Sequence, residues 1–222
     1  MIVPTACSTE KSYNGKVSKV LTFFTNLGLT ARVLHEHTET PTREKIEDML
    51  GEAALVYTIG GNTPYMLEQM KASGLDTALA EAIRGGKVHA GTSAGALLPF
   101  ALIHTNPSKN PRNQLWDFTF ENGLGLMDAV ATAHADGRDM TPKGPRPDTR
   151  REHLQLNFPT GLAHGLAIDN GVAVTLSVHP RVIINDPHSQ AGVYLLNRHP
   201  DGQVTSTRVE DPSQLSQIPM RG

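Results

Sequence analysis

The chain has 222 residues, a formal net charge of −2, 38% hydrophobic and 19% charged residues, the balance of an ordinary globular chain with room for one sizeable core. An aromatic content of 5% without net positive charge argues against a nucleic-acid binder built on stacking and phosphate contacts, and no apolar run reaches the roughly 20 residues of a membrane span. The single cysteine, Cys7, excludes an internal disulfide framework and a cysteine-based zinc cluster.

In chain order, "MIVPTACSTEK" lacks the basic lead and long apolar stretch of a signal peptide, so the cytoplasm is the expected location. Its "IVPTA" reads as the end of a buried strand that ought to begin several residues earlier, as though an upstream piece were missing. Val17, Val20, Leu21, Phe24 and Leu27 recur at helical spacing before the glycine stop of "NLG". "TARVLHEH" reads as a second strand, "TREKIEDML" as a short helix, and "ALVYTIGG" as a third strand ending in two glycines. "TPYMLEQMKASG" and "DTALAEAIRGG" read as glycine-closed helices. "KVHAG" is a fourth strand, followed by a glycine-rich turn and a helix over "AGALLPFALI". Alternating strands and helices predict an α/β fold with a mostly parallel sheet covered on both faces. Residues 105–160 are rich in Pro, Asn, Asp and Arg and show little periodicity, which marks a functional or mobile stretch. From about 164 the short strands "GLAID", "VAVTLS", "RVIIND" and "GVYLLNR" suggest a small antiparallel addition near the C-terminus. No linker or repeat divides the chain, so residues 1–222 are expected to form one domain.

The turn "GTSAG" at 91–95 lies where a strand meets a helix. A nucleophile elbow needs small neighbours there, because the chain folds back tightly around a strained serine. Ser93 is therefore a candidate nucleophile, and it needs a base. Among the histidines, His35 and His37 alternate at a strand end, either a polar terminus or a metal pair with no third ligand evident. His89 reads as a packed sheet residue. His134 follows an apolar segment and enters the irregular region, as a base facing the elbow or as a surface residue. His164, His179, His188 and His199 lie among turns.

"VPTA" at 3–6, "GGNT" at 60–63, "GTSAGA" at 91–96 and "GLGL" at 123–126 before His134 occur in this order. Together they resemble the serine peptidase family of dipeptidase E (peptidase E, aspartyl dipeptidase) and cyanophycinase, over roughly residues 3–175. The resemblance implies a three-layer α/β/α fold related to class I glutamine amidotransferases, with Ser93 as nucleophile and His134 as its base. It implies an oxyanion hole from the N–H groups of Gly61 and Ala94, with Gly60 and Asn62 at the substrate. "GGNT" is equally a helix start, since Asn62 or Thr63 is a good N-cap. For the third triad member the family has a glutamate where this chain has Asn170, with Asp169 just before it. Asn170 matches by alignment and Asp169 is the physical rival, because an asparagine orients a histidine without supplying charge. "IDNG" also reads as a plain hairpin turn. Arg150 in "DTRRE" matches a family arginine and is the expected grip on a substrate carboxylate, with Arg151 as the fallback.

The resemblance thus implies a serine exopeptidase acting on dipeptides with N-terminal aspartate through an acyl-enzyme. No metal or other cofactor is required, the partner is a small peptide rather than nucleic acid or membrane, and the protein is a monomer or homodimer. The alternatives are a cyanophycinase-like hydrolase of β-aspartyl-arginine units and a weakly catalytic binding relative of the same fold. Residues 136–150, rich in proline and arginine after the candidate base, are expected to act as a lid.

Overall fold

A computed structural model describes residues 1–35, 37–106, 117–186 and 188–221. The chain groups into two compact units, Met1–Pro99 and Phe100–Gly222. The fold is α/β: parallel strand pairs flanked by helices, with antiparallel strands added toward the C-terminus and, among the described residues, no closed barrel.

The first unit contains β1 (Ile2–Val3), α1 (Glu10–Asn26), α2 (Arg43–Glu52), β2 (Leu55–Thr58), α3 (Thr63–Ser73), α4 (Leu75–Arg84) and β3 (Val88–Gly91). Its sheet is parallel, in the order β1-β2-β3. α1 starts where Thr9 accepts the Ser12 N–H. It packs Tyr13, Val17 and Phe24 with Ile2, Cys7 and Ile59 into one core cluster. Removing each large side chain of this kind from water contributes about 1.5–3 kcal/mol. α3 is capped by Asn62, whose Oδ1 accepts the Tyr65 N–H at 3.2 Å, and it ends at Gly74 in the left-handed region.

Two sequence expectations fail in this unit. The strand over "TARVLHEH" reduces to a single parallel bridge, Ile2 to Val33. β1 is two residues long, so it offers a neighbour only the Ile2 N–H and C=O, which bond Arg32 O and Leu34 N. Glu36 lies outside the described residues. The helix over "AGALLPFALI" is also absent. One 3₁₀ turn, Ser93–Gly95, is followed by a turn through Pro99 and then by a strand. Proline disfavours helix at the residue before it and has no N–H to give, and the buried run after it suits a sheet.

The second unit contains β4 (Phe100–Thr105), β5 (Thr119–Asn122), β6 (Met127–Ala133), β7 (Met140–Thr141), β8 (Gly144–Pro145), α5 (Arg150–Leu156), β9 (His164–Ile168), β10 (Val172–Thr175), β11 (Arg181–Ile184), β12 (Val193–Arg198) and β13 (Val204–Arg208). Its sheet runs β13-β12-β9-β6-β4-β5. The pairs β4-β6 and β6-β9 in the middle are parallel, and the outer pairs are antiparallel. β10 and β11 form a separate hairpin. Val130, Leu154, Phe158, Leu162 and Leu196 are among the residues of one core cluster.

The stretch 105–160 is therefore not irregular throughout, although its residues 107–116 lie outside the described part. It carries β5, β6 and α5. β6, "MDAVATA", is buried along most of its length. A strand buried on both faces shows no alternation, and three alanines weaken its propensity signal.

Candidate active site

In the first unit, register decides what meets what. Val3 is opposite Thr58, and Thr58 is opposite Gly91. All three strands therefore end level, and the segments after them share one edge: Pro4–Cys7, Ile59–Asn62 and Thr92–Gly95. The C-terminal edge of a parallel sheet is where α/β folds place their ligands.

The glycines of both motifs are there because nothing larger fits. A Cβ on Gly60 would lie 2.2 Å from Thr92 O and 2.8 Å from Ser93 Cβ. On Gly61 it would lie 2.1 Å from Ala6 O, on Gly95 2.2 Å from Thr58 O, and on Gly91 2.6 Å from Gly95 C. "GGNT" and "GTSAG" are thus two halves of one close backbone contact. Ser93 is held at φ +51°, a conformation rare for residues with a side chain and typical of a nucleophile elbow.

The turn also sorts its donors. Gly60 N–H donates to Thr92 Oγ1 at 3.1 Å, Gly95 N–H to Thr92 O at 2.9 Å and Ala96 N–H to Ser93 O at 3.0 Å. The N–H groups of Gly61 and Ala94 belong to none of these bonds. Beside them, His89 Nε2 lies 3.1 Å from Thr58 Oγ1, and burial pushes the His89 pKa down to about 4. Its ring is a neutral packing element of the sheet; His35 is also buried, with Nε2 2.9 Å from Thr5 Oγ1. Asn62 is committed to capping α3 through Oδ1. Among the described residues no three His, Cys, Asp or Glu side chains converge as metal ligands.

In the second unit, β6 delivers His134 at its C-terminal end, again in the left-handed region at φ +56°. His134 Nδ1 is 2.5 Å from Asn170 Oδ1. Behind Asn170 stands Asp136, a residue the sequence reading did not single out. Its Oδ1 accepts both the backbone N–H and the side-chain Nδ2 of Asn170, at 2.9 and 2.8 Å. A carboxylate only accepts, so the amide nitrogen must face Asp136 and the amide oxygen must face the ring. His134 therefore carries its proton on Nδ1, and Nε2 is left as the basic nitrogen. The place of Asp136 two residues after the histidine in "HADG" is no distinguishing signal in a polar loop.

Asp169 is placed elsewhere. It is buried, its Oδ2 accepts the Gly192 N–H at 3.0 Å, and burial raises its carboxyl pKa against the pull of that bond. Its neighbour Asn170, not Asp169, reaches the histidine.

The two arginines are committed within the protein. Arg150 Nε and Nη2 clasp Asp139 at 2.6 and 2.7 Å, with only 13% and 10% of the two side chains exposed, and Nη1 donates to Ala133 O at 3.3 Å. The fork expected to hold a substrate carboxylate already holds Asp139. The Arg151 guanidinium lies over the Tyr194 ring, 3.6 Å from its centroid. Their backbone N–H groups donate to Gly137 O and Ala135 O, each at 3.0 Å, so the start of α5 grips the loop that carries His134. The start of α5 is itself fixed by a capping box, Thr149 with Glu152. Within the segment expected as a lid, β7 and β8 form a hairpin, and Arg146 N–H donates to Asp139 O.

Residues 1–181 match Peptidase family S51. The chain belongs to this family. Among its relatives, the protein named Peptidase E of Streptomyces coelicolor is 33% identical over 155 residues, 69% of this chain and 57% of that one. The uncharacterized peptidase YgaJ of Bacillus subtilis is 32% identical over 134 residues, 60% of this chain and 52% of its own length. The chain spans about half of the curated relatives it matches, between 46% and 63%. The crystal structure of a peptidase from an acI-B1 Actinobacterium superposes with a TM-score of 0.63 at 18% identity, covering 95% of this chain and 80% of that one. A candidate peptidase E protein from Listeria monocytogenes EGD-e gives 0.58 at 23% identity, covering 83% and 84%. These two likenesses show the fold and no more.

Proposed function

We propose that this S51 peptidase is a serine exopeptidase that releases aspartate from dipeptides with N-terminal aspartate. The observation that carries the mechanism is the chain His134–Asn170–Asp136, which leaves a histidine nitrogen basic and oriented at the end of β6. In the proposed reaction Ser93 Oγ attacks the aspartyl carbonyl carbon and passes its proton to His134 Nε2. The carbonyl π bond opens to an oxyanion, which takes the N–H groups of Gly61 and Ala94. The intermediate collapses, the C–N bond breaks, and the leaving amine takes the proton from His134. Water, deprotonated by the same nitrogen, adds to the acyl carbon; the C–Oγ bond then breaks, and Ser93 Oγ takes the proton back from His134 as aspartate leaves. Asn170 holds the ring, and Asp136 supplies at one remove the negative charge that an asparagine lacks. No metal or organic cofactor enters this sequence of steps.

Membership in S51 and the likeness to the protein named Peptidase E support the aspartyl specificity. Arg150 is a weaker candidate for reading that side chain than its sequence match implies, because Asp139 occupies its fork. The test is amino-acid release from Asp-Leu, Glu-Leu, Asn-Leu, Leu-Leu and β-Asp-Arg, with Ser93→Ala alongside. Release from Asp-Leu alone, lost in the variant, is the expected result. Release only from β-Asp-Arg would move the protein to the cyanophycinase side, and no release would leave a binding relative.

A further inference from the structure

The Gly60–Gly61 peptide has two ends, and the proposed function uses one of them. Its N–H, on Gly61, is assigned to the oxyanion. Its C=O, on Gly60, accepts a hydrogen bond from Lys16 Nζ at 2.6 Å. In a trans peptide these two groups point in opposite directions within one plane. Whatever fixes the carbonyl therefore fixes the direction of the N–H.

Lys16 is well placed to do this. It is on α1 between Tyr13 and Val17, both buried in the core cluster of the first unit. Tyr13 is tied further by its hydroxyl, which donates to His35 O at 2.9 Å. The helix thus presents the lysine from a fixed base, and the ammonium reaches across 44 residues of sequence to one carbonyl. The preceding Ile59–Gly60 peptide is held by Thr92, which accepts the Gly60 N–H, and Gly61 is pressed against Ala6. Neither of these touches the Gly60 carbonyl.

We propose that Lys16 is a positioning residue for catalysis: its ammonium orients and polarises the Gly60–Gly61 peptide so that the Gly61 N–H is a stronger donor to the oxyanion. A charged donor makes a shorter and stronger bond than a neutral one, and a carbonyl polarised at one end makes its peptide N–H a better donor at the other. The benefit grows as negative charge develops on the substrate oxygen, so it belongs to the transition state rather than to substrate binding. The assignment rests on the serine-peptidase reading above.

The test compares wild type with Lys16→Met, Lys16→Gln and Lys16→Arg. The Met variant is expected to lower kcat for Asp-Leu about tenfold with KM within about twofold, the pattern of an interaction made only in the transition state. Lys16→Arg, which keeps the charge and the donors, is expected to recover most of the rate. A purely structural lysine would give neither this split nor its companion. The companion is the inhibition constant of the aldehyde analogue of aspartate, whose adduct with Ser93 places an oxygen in the hole; it should rise in step with the kcat loss, while that of free aspartate stays unchanged. Lys16→Gln is read in the same way if the Met variant fails to fold by circular dichroism. Active wild type with variants matching it in kcat and aldehyde affinity would overturn the Lys16 assignment alone. Wild type that neither hydrolyses Asp-Leu nor binds the aldehyde would overturn the serine-peptidase reading, and the role of Lys16 with it.

Discussion

Asn170 is where this chain departs from the glutamate of the resembling family, and its surroundings explain how an amide can serve. Two donors from one residue converge on Asp136 Oδ1, which holds the amide in a single orientation. Without that carboxylate the amide is free to turn, and an amide nitrogen facing His134 Nδ1 would favour the tautomer with its proton on Nε2, which cannot act as a base. Asp136→Ala is accordingly expected to lower kcat about a hundredfold with little change in KM, the scale on which a general base contributes. Asn170→Ala should cost as much, and the double variant scarcely more, since the two residues act as one unit. A kcat for Asp136→Ala within twofold of wild type would show that the amide needs no such clamp. At this scale the sequence was legible where a residue type is forced by space. Gly60, Gly61, Gly91 and Gly95 each face backbone at under 3 Å. Asp136 was not legible, because an acidic residue beside a histidine in a polar loop has no distinguishing pattern until Asn170 folds back onto it.

At the scale of elements, α5 and β6 show why so little of 105–160 was readable. The helix is seven residues long and the strand has too many alanines to stand out. What secures them is tertiary: a capping box, two backbone bonds to the His134 loop, and the Arg150–Asp139 clasp. The helix expected after the elbow fails for a local reason, Pro99, which disfavours helix at the residue before it and has no N–H to give. The clasp yields a prediction that separates its structural role from a substrate role. Arg150→Met alone strands Asp139 in a largely buried place and should destabilise the protein by about 3 kcal/mol, while Arg150→Met with Asp139→Leu should recover most of that. Urea unfolding measures both. If the double variant is stable and its KM for Asp-Leu is unchanged, Arg150 serves the fold; a KM raised tenfold or more would return the arginine to the substrate.

For the molecule as a whole, buried histidines make stability depend on pH. Burial holds His89 near a pKa of about 4; burial, with smaller contributions from His153, Arg150 and Arg146, holds His104 well below the ordinary histidine value, and burial, with Arg146, lowers His153. A folded pKa below the unfolded value of about 6.5 means that unfolding takes up protons between the two values. Stability is then full above pH 6.5 and falls as pH drops toward 4, while the raised carboxyl of Asp169 works in the opposite sense. His89→Gln should flatten the fall in unfolding free energy over that interval by an amount on the order of 1–3 kcal/mol, followed by thermal melts at stepped pH; an unchanged slope would show that His89 is not the neutral ring described. The alternation of strands and helices made the α/β class readable, and four ordered motifs made the family readable, because both rest on local pattern. Assignment of the reaction rests on one serine. The most direct test is labelling by a fluorophosphonate probe, read by mass spectrometry of the modified peptide. The account predicts one label per chain on Ser93, lost in Ser93→Ala and slowed at least a hundredfold in His134→Ala. Labelling of another residue, or labelling of Ser93 that is indifferent to His134, would contradict it.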